Sequence, residues 1–263
     1  MYAFTLERPA SAADAARLAG EGAKLLAGGQ TLLASMKLRL ADPGRLVDLS
    51  GISDLAGIRR DGDAFVIGAM TRHADVADNA ELKAALPALA ELAGQIGDRQ
   101  VRAMGTLGGS VANNDPAADY PAAVLGLNAT IQTTGREIAA DDYFQGMFAT
   151  ALADGELITA IRFPIPRRAA YMKFKQPASR FALVGVFVAQ TDAGVRVAVT
   201  GAGNGVFRHH GLEQALTASF TSAAAAAVPI DAAELNSDLH ASAAYRANLI
   251  SVLTQRAVER MQG

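Results

Sequence analysis

The sequence predicts an α+β protein, with a two-lobed unit over residues 1–166 and an α+β unit over 167–263. Three observations carry this prediction. Short strand-like runs alternate with helical apolar spacing and two hairpin turns up to Phe163. Pro164-Ile165-Pro166-Arg167-Arg168 then breaks the pattern, because proline cannot donate to a strand ladder or continue a helix. Beyond the break three strand candidates are followed by helices, the element order of an α+β unit.

The first lobe, about residues 1–53, reads as a βαβ-like unit. Phe4-Thr5-Leu6 is its first strand, and Ser11 caps a helix through Leu18 with Gly20 at its end. Asp14, three residues after Ser11, completes a loose capping box. Residues 24–27 form the next strand and a helix follows from Leu32. Asp42-Pro43-Gly44 turns into the strand Leu46-Val47-Asp48-Leu49.

The second lobe opens on a hairpin around Asp61-Gly62. Thr71 is expected to cap a helix through about Ala77, and residues 86–96 show helical spacing. Asp115 is expected to cap Pro116 at the start of a short helix that holds Ala122, Ala123 and Leu125. A second hairpin turns at Thr134-Gly135, and residues 157–163 close the lobe. The last unit has strands at 171–174, 182–190 and 195–200, with helices from about Leu212, Ser222 and Ala241. Gly201-Ala202-Gly203-Asn204-Gly205 could be taken for a phosphate loop.

Composition removes several function classes. With 24 basic and 26 acidic residues and no basic cluster, the chain lacks the footprint of a nucleic-acid binder. It has no cysteine, so it builds no cysteine-ligated iron–sulfur cluster, disulfide or thiol nucleophile. His73, His209, His210 and His240 are too scattered for a metal site. No apolar run approaches the ~18 residues of a membrane span, and Met1-Tyr2-Ala3-Phe4 opens without a signal-peptide pattern. A cytoplasmic location is therefore expected. Redox chemistry on this chain would need an organic carrier, with electron partners elsewhere.

Two glycine segments carry the chemistry. Ala27-Gly28-Gly29-Gln30-Thr31 lies between a strand and the helix opening at Leu32, an arrangement suited to an anion. Thr106-Leu107-Gly108-Gly109-Ser110 offers a second turn in which glycines permit φ > 0 and close approach to a bulky ligand. Its successive N–H groups would converge on an anion, with the Thr106 and Ser110 hydroxyls as further donors. Asp119, ten residues beyond Gly109, is a carboxylate able to accept from the vicinal hydroxyls of a ribose. Neither segment is a G-x-G-x-x-G fingerprint or a P-loop. Two loops meeting at one pyrophosphate is a different solution.

These loops, in this order, resemble those of the FAD-binding medium subunits of the molybdenum hydroxylases, the carbon monoxide dehydrogenase and xanthine dehydrogenase families. The resemblance extends to Asp115-Pro116-Ala117-Ala118-Asp119, Met36-Lys37-Leu38-Arg39, Ile67-Gly68-Ala69-Met70-Thr71 and Lys175-Gln176-Pro177-Ala178-Ser179-Arg180, with Tyr245-Arg246 near the end. It implies a PCMH-type FAD-binding domain over 1–166 and a carbon monoxide dehydrogenase flavoprotein-like domain over 167–263. By resemblance, Ala27, Gly28, Gly29, Gln30, Thr31 and Leu32, with Thr106, Gly108, Gly109 and Ser110, cradle the FAD pyrophosphate. Asp119 binds the adenosine ribose, Ile158 packs on adenine, and Lys175 sits beside the flavin's pyrimidine side, with Pro177 inserted relative to the pattern. Ile96 falls where some relatives place an aromatic against the flavin. The resemblance also implies that residues 201–205 are a turn leaving the sheet rather than a phosphate loop. His73 is read as a packed or capping residue.

The resemblance further implies an oxidoreductase subunit in a heterotrimer. It would accept electrons from a [2Fe–2S] small subunit, beside a molybdopterin large subunit, and pass them to quinone, NAD or oxygen. Gln30 stands where a histidine could tether flavin, so FAD is expected to be non-covalent. Two alternatives remain: a self-contained FAD-dependent oxidoreductase of the same wider fold, or a non-redox nucleotide-binding protein.

Overall fold

Ser11 starts the first helix as its position predicts, accepting the Asp14 N–H at 3.1 Å and donating to the Asp14 carboxylate at 2.7 Å. In the computed structural model, which describes residues 1–263, this helix α1 (Ala12–Gly20) follows β1 (Thr5–Glu7). It precedes β2 (Lys24–Leu26), α2 (Leu32–Lys37) and β3 (Arg45–Asp48). β3 pairs in parallel with both β1 and β2, so it is the central strand of the expected βαβ lobe. Ala15, Leu18 and Val47 bury against Leu157 and so tie this lobe to the second.

The second lobe begins with β4 (Ile58–Asp61) and β5 (Ala64–Gly68), joined through Gly62 at φ +61°. Six short helices follow: α3 (His73–Asp78), α4 (Ala80–Ala85), α5 (Pro87–Gly94), α6 (Arg99–Met104), α7 (Leu107–Asn113) and α8 (Tyr120–Gly126). The chain then returns through β6 (Thr130–Thr133), β7 (Glu137–Ala139) and α9 (Ala140–Tyr143). A small hairpin, β8 (Phe144–Gly146) and β9 (Ala149–Thr150), leads to β10 (Ile158–Pro164). β10 inserts between β5 and β6, giving an antiparallel sheet in the order β4-β5-β10-β6-β7.

Two capping expectations are corrected here. Arg72, not Thr71, takes the N-cap position of α3; the Thr71 hydroxyl instead bonds both the N–H and the C=O of Gly57, each at 3.0 Å. Asp115 accepts the Ala117 N–H within a turn, and α8 begins only at Tyr120.

The last unit is a four-stranded antiparallel sheet of β11 (Arg168–Lys175), β12 (Ala182–Thr191), β13 (Gly194–Thr200) and β14 (Phe207–Arg208). The sequence predicts three strands; two-residue β14 is too short to show a period. Helices α10 (His210–Ala218), α11 (Ser222–Ala226) and α12 (Ala243–Gln262) follow. Strand alternation sends successive residues of β12 to opposite faces. Val184, Val186 and Val188 meet residues of α10 and α12, while Phe187 and Ala189 enter the core of the second lobe beside Tyr171 and Ala198. One hydrophobic core therefore crosses the Pro-Ile-Pro segment. No helix is long and apolar enough to cross a membrane.

Candidate functional site

The glycines in the second segment do not form a turn. Thr106 is an N-cap, accepting the Gly109 N–H at 3.2 Å, and Gly108 and Gly109 make the first turn of α7 without positive φ. Their backbone donors are used inside the protein. Leu107 N–H bonds the Thr71 carbonyl at 3.0 Å, Gly108 N–H the Ala69 carbonyl at 2.8 Å, and Ser110 N–H the Thr106 carbonyl at 3.1 Å. Glycine is required at 108 because a Cβ there would lie 2.4 Å from that of Ala69. At 109 a Cβ would lie 2.8 Å from the Thr106 hydroxyl and 3.3 Å from Ala27 Cβ. The two segments are thus in contact, and the glycines set how closely.

The first segment behaves differently. The N–H groups of Gly28, Gly29, Gln30, Thr31 and Leu32 have no acceptor within the chain, and Thr31 makes no side-chain cap for α2. Gly29 adopts φ +71°, which a side chain would strain, and a Cβ on Gly28 would stand 2.1 Å from the Met104 carbonyl oxygen. A run of donors without acceptors beside a fixed glycine backbone is an anion cradle.

Both segments open into one cleft of about 730 Å³ where the three parts of the chain meet. That volume lies in the range of cofactor sites, ~300–1,000 Å³. Ala27, Gly28, Gly29, Gln30, Thr31 and Leu32 line it, as do Thr106, Gly108, Gly109, Ser110, Asp119 and Ile158. Lys175 does not; it is exposed at the end of β11. Ile96 and His73 are in the wall. His73 is buried, and desolvation together with the nearby Arg102 charge pushes its pKa down to about 4, so the imidazole is neutral. No group of side chains is placed to hold a metal ion.

Asp119 sits deep in this wall, 3% exposed. Lys173 Nζ lies 2.8 Å from its carboxylate, and the Tyr171 hydroxyl donates to it at 2.5 Å. Burial pushes the Asp119 carboxyl up, with the Lys173 ammonium and the Tyr171 hydroxyl pulling against that. Burial pushes the Lys173 ammonium down.

Several wall residues have no assigned role in the sequence reading. Phe148 lies half-exposed in the cleft with φ 54°, a conformation bulky residues avoid. Buried Asn114 holds it there: its side-chain amide donates to the Gly146 and Ala149 carbonyls at 2.7 Å, and its main-chain carbonyl accepts the Phe148 N–H at 3.1 Å. Arg180 and Phe181 reach the cleft from the β11–β12 loop, Arg180 at φ 63°. The one available signal was Tyr171-Met172-Lys173, whose first and third residues share a strand face and place Lys173 beside a buried tyrosine.

Comparison with known proteins identifies the family. Residues 2–166 match the family described as the FAD binding domain in molybdopterin dehydrogenase. The chain is 39% identical over 276 residues to the carbon monoxide dehydrogenase medium chain of Afipia carboxidovorans, covering 98% of this chain and 96% of that one. It is 35% identical to the nicotine 6-hydroxylase medium subunit of Paenarthrobacter nicotinovorans, covering 95% and 94%. Among solved structures, reconstituted CO dehydrogenase from Oligotropha carboxidovorans superposes with a TM-score of 0.91 at 36% identity, covering 99% of this chain and 98% of that one. The chain belongs to the FAD-binding medium subunits of the molybdenum hydroxylases, oxidoreductase subunits of the carbon monoxide dehydrogenase and xanthine dehydrogenase type.

Proposed function

We propose that the chain holds non-covalent FAD in this cleft, takes electrons from a [2Fe–2S] small subunit and passes them to an external acceptor such as quinone, NAD or oxygen. A molybdopterin large subunit would oxidise the substrate. The observation that carries the reading is the row of acceptor-free N–H groups from Gly28 to Leu32 in a cofactor-sized cleft. Bound FAD supplies the conversion between single-electron and paired-electron transfer.

The residues divide the binding work. Gly28, Gly29, Gln30, Thr31 and Leu32 donate to the pyrophosphate, and Ala27 packs the strand end beneath them. Gly108 and Gly109 supply clearance, since their donors are already engaged. The Ser110 hydroxyl is a further donor from the wall. Asp119 accepts from the ribose, and Ile158, 4% exposed, gives adenine an apolar floor. Lys175 acts as a cation at longer range, its charge reaching Asp119. Exposed Met104, Met147, Phe148 and Phe181 offer apolar surface at or beside the cleft for a docking partner.

The test is an assay of FAD-loaded chain alone, with carbon monoxide, aldehyde and purine substrates and a dye acceptor. No turnover is expected. Robust turnover would overturn the reading in favour of a self-contained oxidoreductase.

A further inference from the structure

We propose that Tyr171 and Lys173 are positioning residues through which the C-terminal sheet sets the cofactor-facing carboxylate of Asp119. The inference rests on Asp119 contacting FAD, as read above. Asp119 belongs to the segment entering α8, whereas both partners sit on β11, across the Pro164–Pro166 boundary. They share one strand face and converge on the carboxylate at 2.5 and 2.8 Å; Lys173 Nζ also reaches the Gln95 carbonyl at 3.3 Å.

The backbone beside Asp119 is held from the same sheet. The Thr200 hydroxyl bonds the Pro116 and Ala118 carbonyls at 3.0 and 2.7 Å. Gly201 N–H bonds Pro116 at 2.8 Å, and Ala182 N–H bonds Ala117 at 3.3 Å. Residues 116–119, of which Ala118 and Asp119 line the cleft, thus take their position from the last unit. An ion pair whose only work was joining two units need not end in the wall of a ligand cleft. This one does, and its lysine side chain is fully buried.

A buried carboxylate stripped of its ammonium partner takes up a proton more readily. The charged and titratable groups around Asp119 are Lys173, Tyr171 and Lys175 on β11 and Tyr120 on α8. Only Lys173 and Tyr171 bond it directly. Ribose hydroxyls donate best to the ionised carboxylate, so FAD binding to a chain lacking Lys173 strengthens as pH rises and Asp119 ionises.

The experiment measures FAD affinity of the full chain by fluorescence titration between pH 5 and 9, after circular dichroism establishes folding. Lys173→Met is expected to weaken binding about tenfold or more, and Tyr171→Phe about three- to tenfold. In Lys173→Met the fall in affinity on acidification should begin about one pH unit or more higher than in wild type. In an Asp119→Asn background both substitutions should change affinity by less than about twofold, since they act through the carboxylate. Equal losses in that background, or wild-type affinity and pH profile for both single variants, would overturn the inference. Unchanged affinity in Asp119→Asn itself would remove the ribose assignment, and the inference with it. Should Lys173→Met fail to fold, the cycle with near-isosteric Tyr171→Phe decides alone.

Discussion

Gly28 shows what a single position decides in this fold. Its missing Cβ lets the first loop rest against the Met104 carbonyl, at a distance where any side chain collides with backbone. Gly28→Ala should therefore cost about 1–3 kcal/mol in denaturant stability and reduce FAD affinity. Stability and affinity equal to wild type would show that the loop has room the geometry denies it. His73 is a second residue with a measurable signature. Its pKa falls from 6.5 to about 4 on folding, because burial and Arg102 disfavour the imidazolium. Between these values the unfolded chain binds more protons, so this contribution to stability is intact above pH 6.5 and is lost as pH falls toward 4. Replacing His73 with Phe should flatten melting temperature against pH in that window. An unchanged slope would mean that His73 is not the group responsible. Both glycine segments were legible as residues, since Gly-Gly beside Thr is visible in any sequence. That Gly28–Leu32 donors are free while those of Leu107 and Gly108 are engaged was not legible, because the acceptors of the latter, Thr71 and Ala69, lie some forty positions away.

At the level of elements, α7 is the instructive case. Two adjacent glycines disfavour a helix by roughly 1 kcal/mol each relative to alanine, so the sequence reads as a turn. The helix forms because Thr106 caps it and because only glycine lets α7 approach Ala69. Tertiary contact overrides propensity here. Thr106→Ala should remove the cap and cost about 1 kcal/mol, measurable by urea denaturation, with a larger proportional loss of FAD affinity than a surface cap such as Ser11→Ala produces. Equal effects of the two substitutions on affinity would separate α7 from the cofactor. The strongly periodic elements needed no such help. β12 alternates between two buried faces, and α1 begins at the Ser11 that predicts it. Short pieces such as α6, α9, β8 and β9 left no period to read.

Across the whole molecule, the proline-rich segment at 164–166 is a boundary in sequence but not in packing. Tyr171 and Phe187 from the last sheet complete the core of the second lobe, and a Cβ on Gly126 would meet the Phe187 ring at 2.7 Å. A chain ending at Pro166 should accordingly lose cooperative thermal unfolding, even though the family match spans residues 2–166. A sharp melt with near wild-type FAD affinity would contradict the shared core. The absence of cysteine carries the functional argument at this scale: electrons reaching the cleft through a cysteine-ligated cluster must come from another chain. The most direct test follows the visible flavin absorbance of the FAD-loaded chain after anaerobic mixing. Bleaching is predicted with a reduced [2Fe–2S] partner and none with carbon monoxide, aldehyde or purine alone. Bleaching by a substrate alone, or no response to the reduced partner, would contradict the account.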